Sequence, residues 1–293
     1  MTLSENFYIR PVAGVAEMQA CQQIHRQVWG FGPEDTVIHL PLMAALQKYG
    51  GLLLGAFSTS GSGGEALVGF SLSFVGRDPA TKEYFHYSQL TAALPEWQSQ
   101  GIGFALKLAQ RQAVLKEGYR LIRWAYDPLE SRNAFFNLAK LGGVCRDYVV
   151  NMYGPGRGEL FGQLDTDRLI VDWELDAPRV VERLDKEASP HPAASPAELY
   201  REVPGVLEVA WQAENIPEAV RVNLSHTERR LKLEIPYRNR LVQQHDYALA
   251  VKWREQTRTA FTHYLKEGYY IAGFYTTQSE NRTHSYYLLE KKN

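Results

Sequence analysis

Two cysteines in 293 residues, Cys21 and Cys145, are too few for a disulfide framework, and they form no CxxC or Cys/His cluster that would hold zinc. Charge of one sign is lacking as well: 32 Lys plus Arg stand against 33 Asp plus Glu, a net charge of −1. Nonspecific nucleic-acid binding draws on a positive field, so no nucleic-acid partner is expected. The longest strongly apolar stretch lies around residues 50–57, far short of the ~20 residues of a membrane helix. Residues 1–11 carry Glu5 and Arg10 and have no apolar core of a secretion signal. With 45% hydrophobic residues the chain is too apolar for disorder. These absences leave a cytoplasmic globular protein, with no metal and no membrane partner.

At ~100–200 residues per domain the length suggests two domains. Residues 15–29 place Met18, Cys21, Ile24, His25 and Val28 at helical spacing, closed by Gly30, and a shorter helical stretch covers 39–49. The period then changes to that of strands at 52–57, 66–75 and 84–93, the first two joined by the Ser/Gly loop 58–64. Residues 101–117 form a long amphipathic helix stopped by Gly118. Strand 119–126, helix 133–141, strand 144–153, the glycine loop 154–158 and strand 168–175 follow. Strands alternating with helices predict an α/β domain with a mixed sheet over 1–176. The run Ser189-Pro190-His191-Pro192-Ala193-Ala194-Ser195-Pro196 reads as a linker, and 177–293 as a smaller α/β domain. One echo links the halves. Lys116-Glu117-Gly118-Tyr119 and Lys266-Glu267-Gly268-Tyr269 each follow a helix and open a strand, so the second domain is readable as a degenerate copy of the first.

The segment that carries chemistry is Pro95-Glu96-Trp97-Gln98-Ser99-Gln100-Gly101-Ile102-Gly103, between a strand and the start of the long helix. A helix start offers backbone N–H groups without partners and about half a positive charge. Glycines there let a pyrophosphate approach the backbone with no Cβ in its way. The absence of Gly-Lys-Ser/Thr excludes a Walker A loop.

In its order of elements this segment resembles the acyl-CoA-binding signature of the GNAT superfamily of N-acyltransferases, Gln/Arg-x-x-Gly-x-Gly/Ala, filled by Gln98, Gly101 and Gly103. Residues Arg132-Asn133-Ala134 through Lys140-Leu141-Gly142 are similar to the family's second motif, and the resemblance covers roughly 7–175. It implies a splay between the fourth and fifth strands that takes the pantetheine arm. It also implies a pyrophosphate on the amides of Gly101 to Gly103, with Gln98, Ser99, Gln100, Gly101, Ile102, Gly103, Phe104 and Ala105 binding the cofactor and Ser131 or Asn133 on the pantetheine side. The donor it implies is acetyl-CoA or another acyl-CoA, succinyl being the specific alternative, with direct attack by the amine of a small molecule or amino acid. Leu138 stands where many relatives keep a tyrosine general acid. That departure motivates a second function, an acyl-CoA-binding sensor without turnover.

For proton transfer the sequence offers four side chains. His86 alternates in phase with Ser88 and Leu90 on its strand. Asp127 lies at the carboxyl end of the fifth strand, where α/β ligands sit, and before Pro128, where it also suits a turn. Tyr148 and Tyr153 flank Asn151 on the sixth strand. Lys107 and Arg111 fit either a 3′-phosphate contact or a solvated helix face, and Arg254 and Arg258 either an acceptor carboxylate or the surface. The second domain would then cap the acceptor pocket or form a homodimer interface.

Overall fold

A computed structural model describes residues 6–35, 37–59, 65–154, 164–187, 200, 202–212 and 216–291. The expected linker 189–196 lies outside the described residues, as do 60–64 of the Ser/Gly loop and 155–158 of the glycine loop. The chain divides into two compact units, the first reaching Trp124 and the second starting at Ala125.

The first unit runs β1 (Phe7–Pro11), α1 (Gly14–Trp29), α2 (Leu40–Lys48), β2 (Leu52–Ser58), β3 (Ala66–Arg77), β4 (Tyr84–Ala93), a 3-10 turn (Pro95–Trp97), α3 (Ile102–Lys116) and the start of β5 (Leu121–Tyr126). Its strands lie in the order β1-β2-β3-β4-β5. The first three pairings are antiparallel and β4 to β5 is parallel, which makes the sheet mixed. Adjacent residues of a strand face opposite ways, so Leu53 and Leu54 feed two different cores. On one face Met18, Cys21 and Ile24 of α1 and Met43 of α2 pack with Leu53, Phe70, Leu72 and Leu90. On the other, Ile102 and Leu106 of α3 pack with Phe7, Leu54, Ala56 and Val68. Each such buried side chain contributes about 1.5–3 kcal/mol, which is what fixes α3 and the loop before it.

The second unit holds α4 (Ser131–Ala134) running into a π-helical turn (Phe135–Lys140), β6 (Val144–Val149), β7 (Arg168–Glu174) and α5 (Pro178–Glu187). After these come β8 (Leu207–Trp211), β9 (Pro217–Val222), β10 (Arg230–Ile235), α6 (Asn239–His245), α7 (Tyr247–Lys266), β11 (Tyr269–Ser279) and β12 (Arg282–Lys291). Its main sheet has the order β7-β6-β11-β12-β10, with β8 and β9 as a separate hairpin. Asp246 caps α7 by accepting from the Ala248 amide at 2.8 Å. The two echoed segments match locally, with Gly118 and Gly268 both in left-handed conformations after their helices. Their pairing differs. β4 and β5 bond to each other, whereas β12 separates β10 from β11. Among the described residues no helix is long and apolar enough to cross a membrane.

Candidate functional site

Helix α3 begins without a side-chain cap: Gly101, at φ 87°, is its N-cap and no side chain accepts from the first turn. The first intrahelical bond runs from Ala105 N to Gly101 O, which leaves the amides of Ile102, Gly103 and Phe104 ahead of it. Gln98 and Gln100 brace the loop, donating to the carbonyls of Ala93 (3.2 Å) and Glu96 (2.8 Å). Gln98, Ser99, Gln100 and Gly101 are exposed, while Ile102 is buried and ties the turn to the core. A Cβ built on Gly101 or Gly103 would meet nothing within 4 Å, so open space lies over these glycines. The expected cradle residues 98–105 are thus contiguous, and the amides at their centre face room for an anion.

The strand that leads into this loop, β4, and the strand that follows α3, β5, barely touch. Their parallel ladder consists of His86 opposite Ile122 and Tyr87 opposite Arg123. Ser88 and Trp124 are the residues that follow this ladder on the two strands. Lys107 of α3 reaches both: its Nζ donates to Ser88 Oγ at 2.8 Å and lies 4.0 Å from the centre of the Trp124 ring. A third contact donates to Gln110 Oε1 at 3.1 Å. Neither the phosphate contact nor the solvated face expected for Lys107 holds, because it is 3% exposed. Burial pulls its ammonium down to about 7.

His86 does not share a face with Leu90, contrary to the expected alternation. Ser73 pairs with Ser88 but Leu72 pairs with Leu90, so Gln89 is the extra residue of a β-bulge and the parity reverses across it. Ser88 therefore faces α3 while Leu90 joins the core under α1 and α2. His86 is fully buried, with Nδ1 3.3 Å from Ser73 Oγ and its ring edge-on to Tyr119. Its Nε2 lies 3.4 Å from Glu117 Oε2, outside hydrogen-bonding geometry. Burial lowers its basicity, against the pull of Glu117.

In the second unit, Asp127 directly follows β5 as expected and makes the expected turn, accepting from the Leu129 amide at 2.9 Å. Both its oxygens also accept from Arg254 Nη2, at 2.8 and 2.6 Å, and Arg168 Nη1 stands 3.8 Å away. Arg254 is therefore a buried ion-pair partner and no surface residue. Arg258 likewise pairs with Asp167 (2.8 Å) and Asp165 (2.7 Å). The Tyr148 hydroxyl donates to Asp167 at 2.6 Å, and burial followed by that carboxylate pushes its own proton loss well above the ordinary range. The expected strand 144–153 ends at Val149, because the chain turns at Asn151 (φ 48°), whose amide donates to Asp167. Tyr153 consequently lies in that turn, exposed, with the Arg168 guanidinium 5.1 Å over its ring. The Ser131 hydroxyl donates to the Tyr237 carbonyl at 2.6 Å, and Asn133 is exposed. Leu138 is completely buried. Among the described residues no group of His, Cys, Asp and Glu side chains could hold a metal.

One titrating group escaped the sequence. Burial, reinforced by Asp127, raises Glu130 to about 7. The only available signal was an acid three residues after another at a strand end. A raised carboxyl holds its proton in the folded state through a window where the unfolded chain has lost it, so stability falls as pH rises from about 4.5 to 7. Glu130→Gln, which cannot ionise, should therefore gain roughly 1–3 kcal/mol over the native chain at pH 8 and little at pH 4. Urea midpoints at the two pH values check this; an equal shift at both would remove Glu130 as the cause.

No protein-family model matches the chain, and no curated protein does. Solved structures similar to part of it include a putative GNAT-family acetyltransferase from Desulfovibrio desulfuricans, at 19% identity and a TM-score of 0.44 over 58% of this chain and 99% of that one. The ribosomal-protein-S18-alanine N-acetyltransferase of Escherichia coli is similar at 17% and 0.43, over 58% and 94%. A putative acetyltransferase from Salmonella typhimurium, solved with acetyl-CoA, is similar at 17% and 0.46, over 58% and 95%. At these values nothing about function follows from the likeness, and the chain's own geometry has to carry the functional case.

Proposed function

We propose that the chain is an acyl-CoA-dependent N-acyltransferase of GNAT type. The observation that carries the proposal is the uncapped start of α3, open above Gly101 and Gly103, on the helix that connects β4 to β5, two strands whose ladder stops after two pairs. The residues fit the group: three amides ahead of the first intrahelical bond and the positive end of a 15-residue helix suit a pyrophosphate, and a β4–β5 ladder of only two pairs suits a pantetheine arm between the strands. Gln98 to Ala105 would hold the phosphates, and the bound group would supply an activated thioester acyl. The chain's residues then have to orient an amine, take its proton and protonate a thiolate.

For these proton transfers the candidates were His86, Asp127, Tyr148 and Tyr153. Three of them are engaged: His86 in the core, Asp127 by Arg254, and Tyr148 by Asp167. Tyr153, exposed at a turn, is the one we assign as acid to the thiolate. The acceptor is an amine of a small molecule or amino acid, the donor acetyl by default, and 1–176 is proposed as the acyl-CoA module with 177–293 attached. The sensor alternative rests on Leu138 alone, and a buried leucine is as well explained by packing.

Calorimetric titration with acetyl-CoA tests the proposal. One site per chain, together with thiol release that requires an added amine, is the expected result. Binding without thiol release across a broad amine panel would favour the sensor, and no binding at all would end the acyl-CoA assignment.

A further inference from the structure

Lys107 is a buried cation with no carboxylate against it among the described residues. Its polar contacts are Ser88 Oγ and Gln110 Oε1, and the face of Trp124 covers it. Gln110 Nε2 in turn donates to Ser88 Oγ at 3.2 Å, closing a triangle of polar groups beneath the helix. What distinguishes this triangle is its place. The β4–β5 ladder ends at Tyr87 and Arg123, and Lys107 grips the next residue on each strand, Ser88 and Trp124. It stands on the same helix whose first turn forms the anion cradle, a little over one turn away.

We propose that Lys107 is the positioning residue of the gap between β4 and β5: a strut whose ammonium, bridging the hydroxyl of Ser88 and the ring of Trp124, holds the parted strands in the arrangement that admits a coenzyme A arm. This rests on the acyl-CoA reading of the cradle. The bridge depends on charge at both ends, since hydrogen bonds from an ammonium are stronger than those from an amine and attraction to an indole face requires a cation. Charged groups on the neighbouring elements are engaged elsewhere: His86 of β4 with Ser73 near Glu117, and Arg123 of β5 with Asp78 at 2.5 Å. Burial alone shifts Lys107, with no charged group opposing it, so the strut loses its charge near neutral pH. Affinity for the coenzyme A arm should then weaken as pH rises through that range.

The experiment measures the Kd of acetyl-CoA by calorimetry between pH 6 and 9 for the native chain and for Lys107→Met, which keeps length and bulk without charge. The native Kd is expected to rise about five- to tenfold over this range relative to the variant, whose profile carries only the ligand's own titration. Ser88→Ala, which keeps the lysine and removes its grip on β4, should bind at pH 6 about as weakly as the native chain does at pH 9. As a readout independent of ligand, a lysine side-chain NMR resonance should titrate near pH 7 in the native chain and be missing in Lys107→Met. Parallel native and Lys107→Met profiles, or no lysine titrating below pH 9, would overturn the strut while leaving the cradle intact. A native chain that binds no acetyl-CoA at any pH would instead overturn the reading beneath it.

Discussion

Gly103→Glu should leave a folded protein at least as stable as the native one and weaken acetyl-CoA binding by more than 100-fold. The two halves of this expectation have one origin. Gly103 is a helical residue whose added Cβ would meet nothing within 4 Å, so the side chain enters free space. Glycine inside a helix costs about 0.5–1 kcal/mol relative to alanine, and an acidic residue in a first turn gains about 0.3–1 kcal/mol from the helix dipole. The same free space and the same dipole are what a pyrophosphate would use. A carboxylate there occupies the room and sets like charge against like, which at ~4 Å and an effective dielectric near 20 is worth about 4 kcal/mol. Even 3 kcal/mol corresponds to about 100-fold in Kd. Gly103→Ala separates the terms, since it fills less of the space and adds no charge; its loss of affinity should be smaller than that of the glutamate. Calorimetry on both variants, with thermal midpoints as the folding control, decides the matter. Undiminished affinity in a folded Gly103→Glu would mean that Gly101-Ile102-Gly103 is a turn and nothing more.

Periodicity made the first unit legible. Helices α1 and α3 and strands β2 to β5 fall within a few residues of their expected bounds, because each carries one clean apolar face against a sheet. What stayed hidden is local and physical. A β-bulge adds one residue and reverses strand parity, yet Gln89 has nothing in its neighbours to announce it, so His86 and Leu90 were placed in phase. Lys107 was read by residue type, as a polar face, although its spacing to Gln110 and Val114 continues the buried side of α3. Strand β6 stops at Val149 because Asn151 tolerates a left-handed turn that Asp167, sixteen residues on, stabilises. In the second unit α5, α6, the β8–β9 hairpin and β12 went unread; β8, β9 and β12 have short or mixed apolar patterns.

The four proton-transfer candidates failed to stand out for a related reason. A sequence shows which groups are able to titrate, and the fold decides which are spoken for. Asp127 and Arg254 are 127 residues apart and meet only in the folded chain. The chemistry read from Asp127 alone was a base; the chemistry of the pair is a buried ion pair with a turn built on it.

That pair supplies the other large expected effect. Asp127→Ala removes the only hydrogen-bond acceptor that Arg254 has among the described residues for its side chain, whose Nε and Nη1 are already buried without a partner. A guanidinium 3% exposed and stripped of its counter-charge should cost about 3–5 kcal/mol. For a unit of this size that lowers Tm by roughly 6–20 °C. Arg254→Met should cost less, because it deletes the orphaned nitrogens along with the charge and leaves Arg168 3.8 Å from Asp127. The double variant Asp127→Asn, Arg254→Met should recover most of the loss, since swapping a buried pair for groups of similar volume is often neutral. Thermal midpoints of Asp127→Asn, Arg254→Met and their double give the coupling directly; an additive double would show that the pair is not a unit. The same set addresses mechanism. If Asp127 orients and neutralises, activity below the melting range should fall in proportion to the folded fraction and return in the double variant. If it is the base, the double variant will be stable and inactive.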